Sequence, residues 1–281
     1  MNPVSLGLSL MAALIVSLPA IAQSDSIELT LSRDPHLAAI GDRQVSFIAR
    51  DMETGITYVL DGSEPDRRRG PWSTFKIPNL IIALETGVAE DLEARLPWDS
   101  QARPAANYWP ADWRQDQTLR TAFTRSAAWA FQDLAIEIGA RTYQDLLPAW
   151  AYGDAEVADG SDRFWLDQTL EISPREQIAF LERLLNRQLG ISEASLDALD
   201  EVSLAGERPD GALHGKTGAG PVELGNFEGR FEGWYVGYLD REARAPIVFA
   251  LHAEASSFNG IRTFRREMAE ALLTDVTERI E

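Results

Sequence analysis

Hydrophobic positions along the chain recur with two different periods, which separate strand-like segments from helical ones. Residues 45–52 and 56–61 alternate like strands, and Glu53-Thr54-Gly55 between them is typical of a hairpin turn. Toward the other end of the chain, three more strand-like runs cover residues 212–217, 231–240 and 246–253. The sequence therefore predicts two groups of strands, one near each end.

Apolar residues at helical spacing fill the region between these two groups. The predicted helices cover residues 73–85, 119–138, 173–189 and 191–203, and a last helix covers residues 262–280. This order predicts an α/β fold of the α+β type, with a central antiparallel sheet built from the N- and C-terminal strands. We expect a helical block on one face, the C-terminal helix on the other, and a site in the cleft between sheet and block.

The N-terminal segment has the composition of a secretory signal. Residues 6–21 are mostly apolar and uncharged, and small residues precede Gln23. We expect cleavage near Ala22–Gln23, so that residues 1–22 are a signal peptide and residues 23–281 are one catalytic domain, periplasmic or secreted. A retained anchor is the alternative, but polar residues interrupt the short apolar stretch, and we expect no stable membrane insertion of the mature chain.

Composition narrows the function classes. The chain of 281 residues carries a formal net charge of −18, which argues against a nucleic-acid partner because phosphate binding needs clustered Lys and Arg. Cysteine is absent, which excludes disulfides and thiolate chemistry. The three histidines, His36, His214 and His252, form no ligand motif, so we expect no metal.

Lysine is scarce, and the positions of the two lysines are informative. Lys and Arg together number 26, and only Lys76 and Lys216 are lysines, which leaves 24 arginines. An arginine side chain keeps its proton in a protein, whereas a desolvated lysine can lose it and act as a base. Chance in an arginine-rich sequence is the alternative, but both lysines lie in motifs that carry chemistry.

Ser73-Thr74-Phe75-Lys76 places a hydroxyl and an amine three residues apart at the start of a predicted helix. The two side chains share a helix face, and the helix N-terminus offers N–H groups to a developing oxyanion. Apolar neighbours favour the neutral amine. This is the Ser-x-x-Lys pattern of acyl transfer. Taken alone, a capped helix with a solvated lysine is the better interpretation.

A second motif, His214-Gly215-Lys216-Thr217-Gly218, changes that interpretation. It is typical of a strand that ends between glycines, so that an amide-like ligand could form backbone hydrogen bonds with the strand edge. Lys216 and Thr217 could bind a carboxylate there. An ordinary strand end is the alternative. Ser126, at a predicted loop-to-helix junction, is a third candidate, although by itself it is simply a polar residue near a helix.

With these residues in view, the mature chain resembles the class D (oxacillinase-type) serine β-lactamases along essentially its whole length. The matching segments, in chain order, are Ser73-Thr74-Phe75-Lys76, Ser126-Ala127-Ala128, Tyr152-Gly153-Asp154, Phe164-Trp165-Leu166, Lys216-Thr217-Gly218, Gly233-Trp234 and Arg262. The resemblance implies hydrolysis of β-lactam antibiotics, which are small-molecule substrates, by a monomer or a homodimer.

The resemblance also implies a mechanism. Ser73 would form the acyl-enzyme, and Lys76 would be N-carboxylated by carbon dioxide or bicarbonate, with no other cofactor. Trp165 would hold the carbamate, which would act as the base for acylation and for deacylation. Ser126 and Lys216 would pass the proton to the leaving nitrogen.

Substrate binding is implied in the same way. Backbone N–H groups of Ser73 and Ala219 would form the oxyanion hole. Thr217 and Arg262 would bind the substrate carboxylate, beside Gly218.

Two residues depart from the family pattern. Ala128 stands where the family has valine, and a smaller side chain there would open a water path to Lys76. Asp154 stands where the family has asparagine. Its negative charge could matter at the cleft edge, or the residue could be a loop position whose backbone counts more than its side chain.

Three other functions share these motifs. A penicillin-binding transpeptidase or carboxypeptidase would keep its acyl-enzyme for long periods. A β-lactam sensor would be acylated once, but such sensors also need membrane helices and an output domain, which the sequence does not predict. An inactive relative would bind cell-wall peptides only, although the nucleophile-activating residues are all present.

Overall fold

A computed structural model describes residues 27–280, so the signal peptide expected at residues 1–22 lies outside the described residues. The strands are β1 (Glu28–Leu31), β2 (Gln44–Asp51), β3 (Thr57–Leu60), β4 (Arg95–Leu96), β5 (Gln117–Thr118), β6 (Leu204–Arg208), β7 (Gly211–Pro221), β8 (Phe231–Arg241) and β9 (Arg244–Ala255). Seven of them form one sheet in the order β1-β3-β2-β9-β8-β7-β6, and β4 pairs with β5. The sheet joins strands from both ends of the chain, as predicted.

Helices cover both faces of the sheet. They are α1 (Leu37–Ile40), α2 (Lys76–Glu85), α3 (Leu119–Thr124), α4 (Ala128–Ile138), α5 (Ala140–Ala149), α6 (Pro174–Leu185), α7 (Glu193–Ser203), α8 (Phe258–Ile261) and α9 (Phe264–Ile280). The C-terminal helix α9 packs into a hydrophobic core on one face, and helices α2 to α7 share a larger core on the other. Within residues 27–280, none of the helices combines the length and hydropathy needed to cross a membrane.

Several elements differ from the prediction, for identifiable reasons. The predicted helix over 119–138 divides into α3 and α4, because Ser126 adopts a left-handed backbone with φ of 61° while the apolar spacing continues across the break. The helix from residue 174 ends at Leu185, before the left-handed Arg187. The short strands β1 and β6 lack an apolar run, and β1 pairs in parallel with β3.

The outer edge of β7 is only partly covered. Strand β6 pairs with β7 over residues 211–214, so among the described strands residues 215–221 have a neighbour only on the β8 side. A 3-10 turn, Trp72–Phe75, leads into α2 and lies against this part of β7. The strand edge and the turn form the cleft in which the chemistry-bearing residues meet.

Candidate active site

The Ser-x-x-Lys motif folds as the sequence predicts. Ser73 lies in the 3-10 turn, and Lys76 is the first residue of α2. This places both side chains on one face, and Lys76 Nζ donates a hydrogen bond to Ser73 Oγ at 3.0 Å. Hydroxyl and amine are therefore in direct contact, as a nucleophile and its base must be.

The Lys76 amine is removed from water. Its side chain is fully buried, and Nζ lies 5.1 Å from the centre of the Phe131 ring. Burial lowers the pKa of Lys76 to about 7, because transfer from water penalises the charged form. A large fraction of this amine is therefore neutral near pH 7.

A second hydroxyl–amine pair comes from the other side of the cleft. Lys216 Nζ donates to Ser126 Oγ at 2.9 Å and to the Thr217 carbonyl oxygen at 3.1 Å. The left-handed backbone at Ser126 turns this residue out of the α3–α4 helical path. Burial, with the positive charges of Lys76 and Arg265 as smaller causes, holds the pKa of Lys216 well below its usual range.

Trp165 supplies an unused donor beside this centre. Its ring is fully buried and stacks on Phe75 at 5.2 Å between centroids. The indole Nε1 has no hydrogen-bond partner within residues 27–280. A buried N–H without an acceptor costs about 1–3 kcal/mol.

Strand β7 approaches the turn that carries Ser73 and forms the opposite wall of the cleft. A Cβ atom at Gly218 would lie 2.8 Å from the Pro71 carbonyl oxygen and 3.2 Å from Ser73 N. Only glycine therefore lets β7 come this near to the nucleophile. The backbone N–H of Ser73 therefore lies directly against β7.

Comparisons with known proteins agree with this arrangement. Residues 65–277 match the family described as "Penicillin binding protein transpeptidase domain". The chain is 31% identical over 215 residues to the probable β-lactamase YbxI of Bacillus subtilis, covering 76% of each chain. It is 33% identical to the β-lactamase OXA-48 of Klebsiella pneumoniae, covering 68% of each. The chain belongs to the class D β-lactamases.

Solved structures place the fold in the same family. A class D β-lactamase from Sebaldella termitidis superposes with a TM-score of 0.77 at 26% identity, covering 90% of this chain and 98% of that one. The C-terminal domain of the BlaR penicillin receptor of Bacillus licheniformis gives 0.79 at 23% identity, covering 90% and 97%. The BlaR likeness concerns the fold alone.

Arg262, to which the class D resemblance assigned carboxylate binding, is exposed and lies directly after α8. Three residues later, Arg265 is 8% exposed, and its Nη1 donates to the Gly218 carbonyl oxygen at 3.0 Å. Burial lowers the pKa of Arg265 to about 10. Arg265 is not among the site residues predicted from sequence, although it lies one turn before the buried Met268 on the inward face of α9.

The two departures from the class D pattern have different surroundings. Ala128 is the first residue of α4 and is partly exposed, yet the Lys76 side chain is fully buried. Asp154 Oδ1 accepts the backbone N–H groups of Glu156 at 3.2 Å and Glu171 at 3.1 Å. The carboxylate of Asp154 therefore ties two loop segments together.

We predict that Lys76→Met stabilises the fold in a pH-dependent way. The Lys76 pKa is about 7 when folded and about 10.4 when unfolded, so between these values the unfolded chain binds more protons and wild-type stability rises with pH. The variant should exceed the wild type by about 2 kcal/mol in free energy of unfolding near pH 6, and by less at pH 9.

Urea unfolding at both pH values, in buffer purged of carbon dioxide, measures this difference. The matched control is Leu80→Met, a fully buried position in the same helix, whose effect should be equal at both pH values. An equal effect of Lys76→Met at pH 6 and pH 9 would contradict the depressed pKa.

Proposed function

We propose that this protein is a serine β-lactamase that opens β-lactams through an acyl-enzyme on Ser73. The contact between Ser73 and the buried Lys76 amine carries the proposal. The second pair, Ser126 and Lys216, faces the same cleft and supports it. The match with this chain covers more than two thirds of the length of two relatives named β-lactamases.

Acylation requires a base for the Ser73 proton. We propose that Lys76 carries a carboxyl group derived from carbon dioxide, since this reaction needs a neutral amine and burial favours one. The unpaired indole N–H of Trp165 is the donor that would hold such a group. When present, the carbamate would supply a carboxylate base to Ser73 Oγ and later to the hydrolytic water.

The chain's other residues stabilise charge and move protons. As Ser73 Oγ attacks the lactam carbonyl carbon, the N–H groups of Ser73 and Ala219 donate to the developing oxyanion. The lactam C–N bond then breaks, and the nitrogen takes a proton from Ser126 Oγ, which the Lys216 ammonium replaces. The proton that the base took from Ser73 then passes to Lys216, which restores the ammonium and leaves the base free to activate water. Water attacks the ester, which releases the opened product and restores Ser73.

The substrate carboxylate binds on the β7 side in this proposal. Thr217 is partly exposed on that strand, and the Arg265 guanidinium contacts the adjacent Gly218. A guanidinium can donate to both oxygens of a carboxylate. We therefore assign carboxylate binding to Thr217 and Arg265, in place of Arg262. We also propose that the enzyme works in the periplasm or outside the cell, after removal of residues 1–22.

The number of turnovers distinguishes a β-lactamase from a protein that is acylated only once. Mixed with a chromogenic β-lactam, the protein should release many equivalents of product per chain, because a base positioned for acylation can also activate water. Ser73→Ala should abolish the reaction. A single burst equal to the protein concentration would instead identify a penicillin-binding protein or a sensor.

Catalysis by a carboxylated Lys76 should depend on carbon dioxide. Removing it should lower kcat, and added bicarbonate should restore it, less completely as the pH falls below about 7, because protonation makes the amine unreactive. Ala128→Val should reduce this dependence by excluding water. If bicarbonate changes kcat in neither protein, the carbamate hypothesis fails.

Substitution of each arginine separately distinguishes the roles of Arg265 and Arg262. Arg265→Met should lower kcat/KM on the order of tenfold to a hundredfold, mainly through KM, because a charge-assisted hydrogen bond contributes about 1.5–3 kcal/mol. The control Arg262→Met should stay within about twofold. Thermal unfolding of both variants checks that each is folded, and the reverse ranking would return carboxylate binding to Arg262.

A further inference from the structure

The residue before the nucleophile has an unusual backbone. Trp72 adopts φ of 52°, in the left-handed region, although it carries a large side chain. Such a conformation is strained for a residue with a Cβ atom. It persists only where surrounding contacts fix it, so these contacts also determine where the next residue, Ser73, points its N–H group.

Glu232 provides one of these contacts. Trp72 Nε1 donates to Glu232 Oε1 at 2.7 Å, and the two residues are 5% and 4% exposed. The indole lies directly on Gly220, where a Cβ atom would come within 2.3 Å of three ring atoms. The hydrogen bond and the absence of a side chain at residue 220 together hold the ring in one position.

The same strand holds the segment at a second point. Trp234, two residues after Glu232 on β8, donates its indole N–H to the Gly70 carbonyl oxygen at 2.9 Å. Strand β8 therefore binds the chain on both sides of Pro71. The backbone N–H of Trp72 is also engaged, since it donates to the Trp165 carbonyl oxygen at 3.2 Å.

Buried polar groups keep Glu232 in place. His252 Nε2 lies 3.1 Å from Glu232 Oε2, and burial lowers the pKa of His252. The neutral ring therefore donates a hydrogen bond through Nε2–H to this carboxylate. Nearby, Glu254 is paired with Arg69 and Arg230. Although Glu232, His252 and Glu254 lie close enough to share a cation, the two carboxylate oxygens of Glu232 are already engaged by Trp72 and His252, so this carboxylate is a fixed anchor for Trp72.

We propose that Trp72 and Glu232 are a positioning pair, which fixes the Ser73 N–H toward the developing oxyanion and thereby sets the rate of acylation. This inference rests on the acyl-enzyme mechanism proposed above. Neither residue touches the reacting atoms. The pair acts through the backbone of Ser73, whose position relative to Gly218 is already tight, and a misplaced oxyanion donor costs a large factor in rate.

Stopped-flow acylation by a chromogenic β-lactam, with thermal unfolding of each variant, tests the pair. Trp72→Phe and Glu232→Ala should each lower the acylation rate constant on the order of tenfold to a hundredfold. The double variant should react at most about threefold more slowly than the slower of the two single variants, because both substitutions remove the same hydrogen bond. Glu232→Gln, which keeps an acceptor oxygen, should restore the rate to within about fivefold of wild type.

Gly220→Ala gives an independent readout that keeps both partners. Its methyl group would displace the indole and should slow acylation as Trp72→Phe does, whereas in a Trp72→Ala background the same change should have little effect. Any of three results would contradict the proposed positioning role of the pair. These are rate losses that multiply in the double variant, no recovery of the rate in Glu232→Gln, or lower thermal stability with an unchanged acylation rate. A wild type that no β-lactam acylates would instead contradict the proposed function, on which the pair depends.

Discussion

The site depends on one costly arrangement, the burial of the Lys76 amine among apolar side chains at the start of α2. Burial alone brings its pKa to about 7, and Ser73 Oγ is then the group it contacts. Phe131 lies on one side, and Trp165 presents an indole N–H with no acceptor in residues 27–280. The neutral amine of Lys76 and the indole N–H of Trp165 are the two observations on which the proposed carboxylation of Lys76 rests.

Close packing of the sheet against the nucleophile's turn provides the other half of the site. The absence of a side chain at Gly218 lets the backbone of the turn contact β7, and its absence at Gly220 lets the Trp72 ring do the same. Because both residues lie on β7, the strand that would receive substrate also determines how the nucleophile is presented. Binding and reactivity are therefore coupled through one element, and a side chain added at either glycine would disturb both.

The sequence predicts the elements that local patterns encode, and misses those that depend on distant contacts. Lys76 and Lys216 could be predicted as site residues because each lies in a short motif within a regular helix or strand. The break at Ser126 is hidden by apolar spacing that continues across it. The bond between Trp72 and Glu232 joins residues 160 positions apart, and no periodicity reports such a contact. Arg265 could have been chosen over Arg262 from the buried face of the last helix.

The burial of both lysines also has a consequence for the outer surface. Since Lys76 and Lys216 are the only lysines and both are buried, the surface formed by residues 27–280 presents guanidinium groups and carboxylates but no side-chain primary amine. Coupling reagents that select amines would find none on this surface. A small electrophile that fits the cleft would therefore meet its first side-chain amines at the catalytic centre, where burial makes the Lys76 amine nucleophilic by favouring its neutral form.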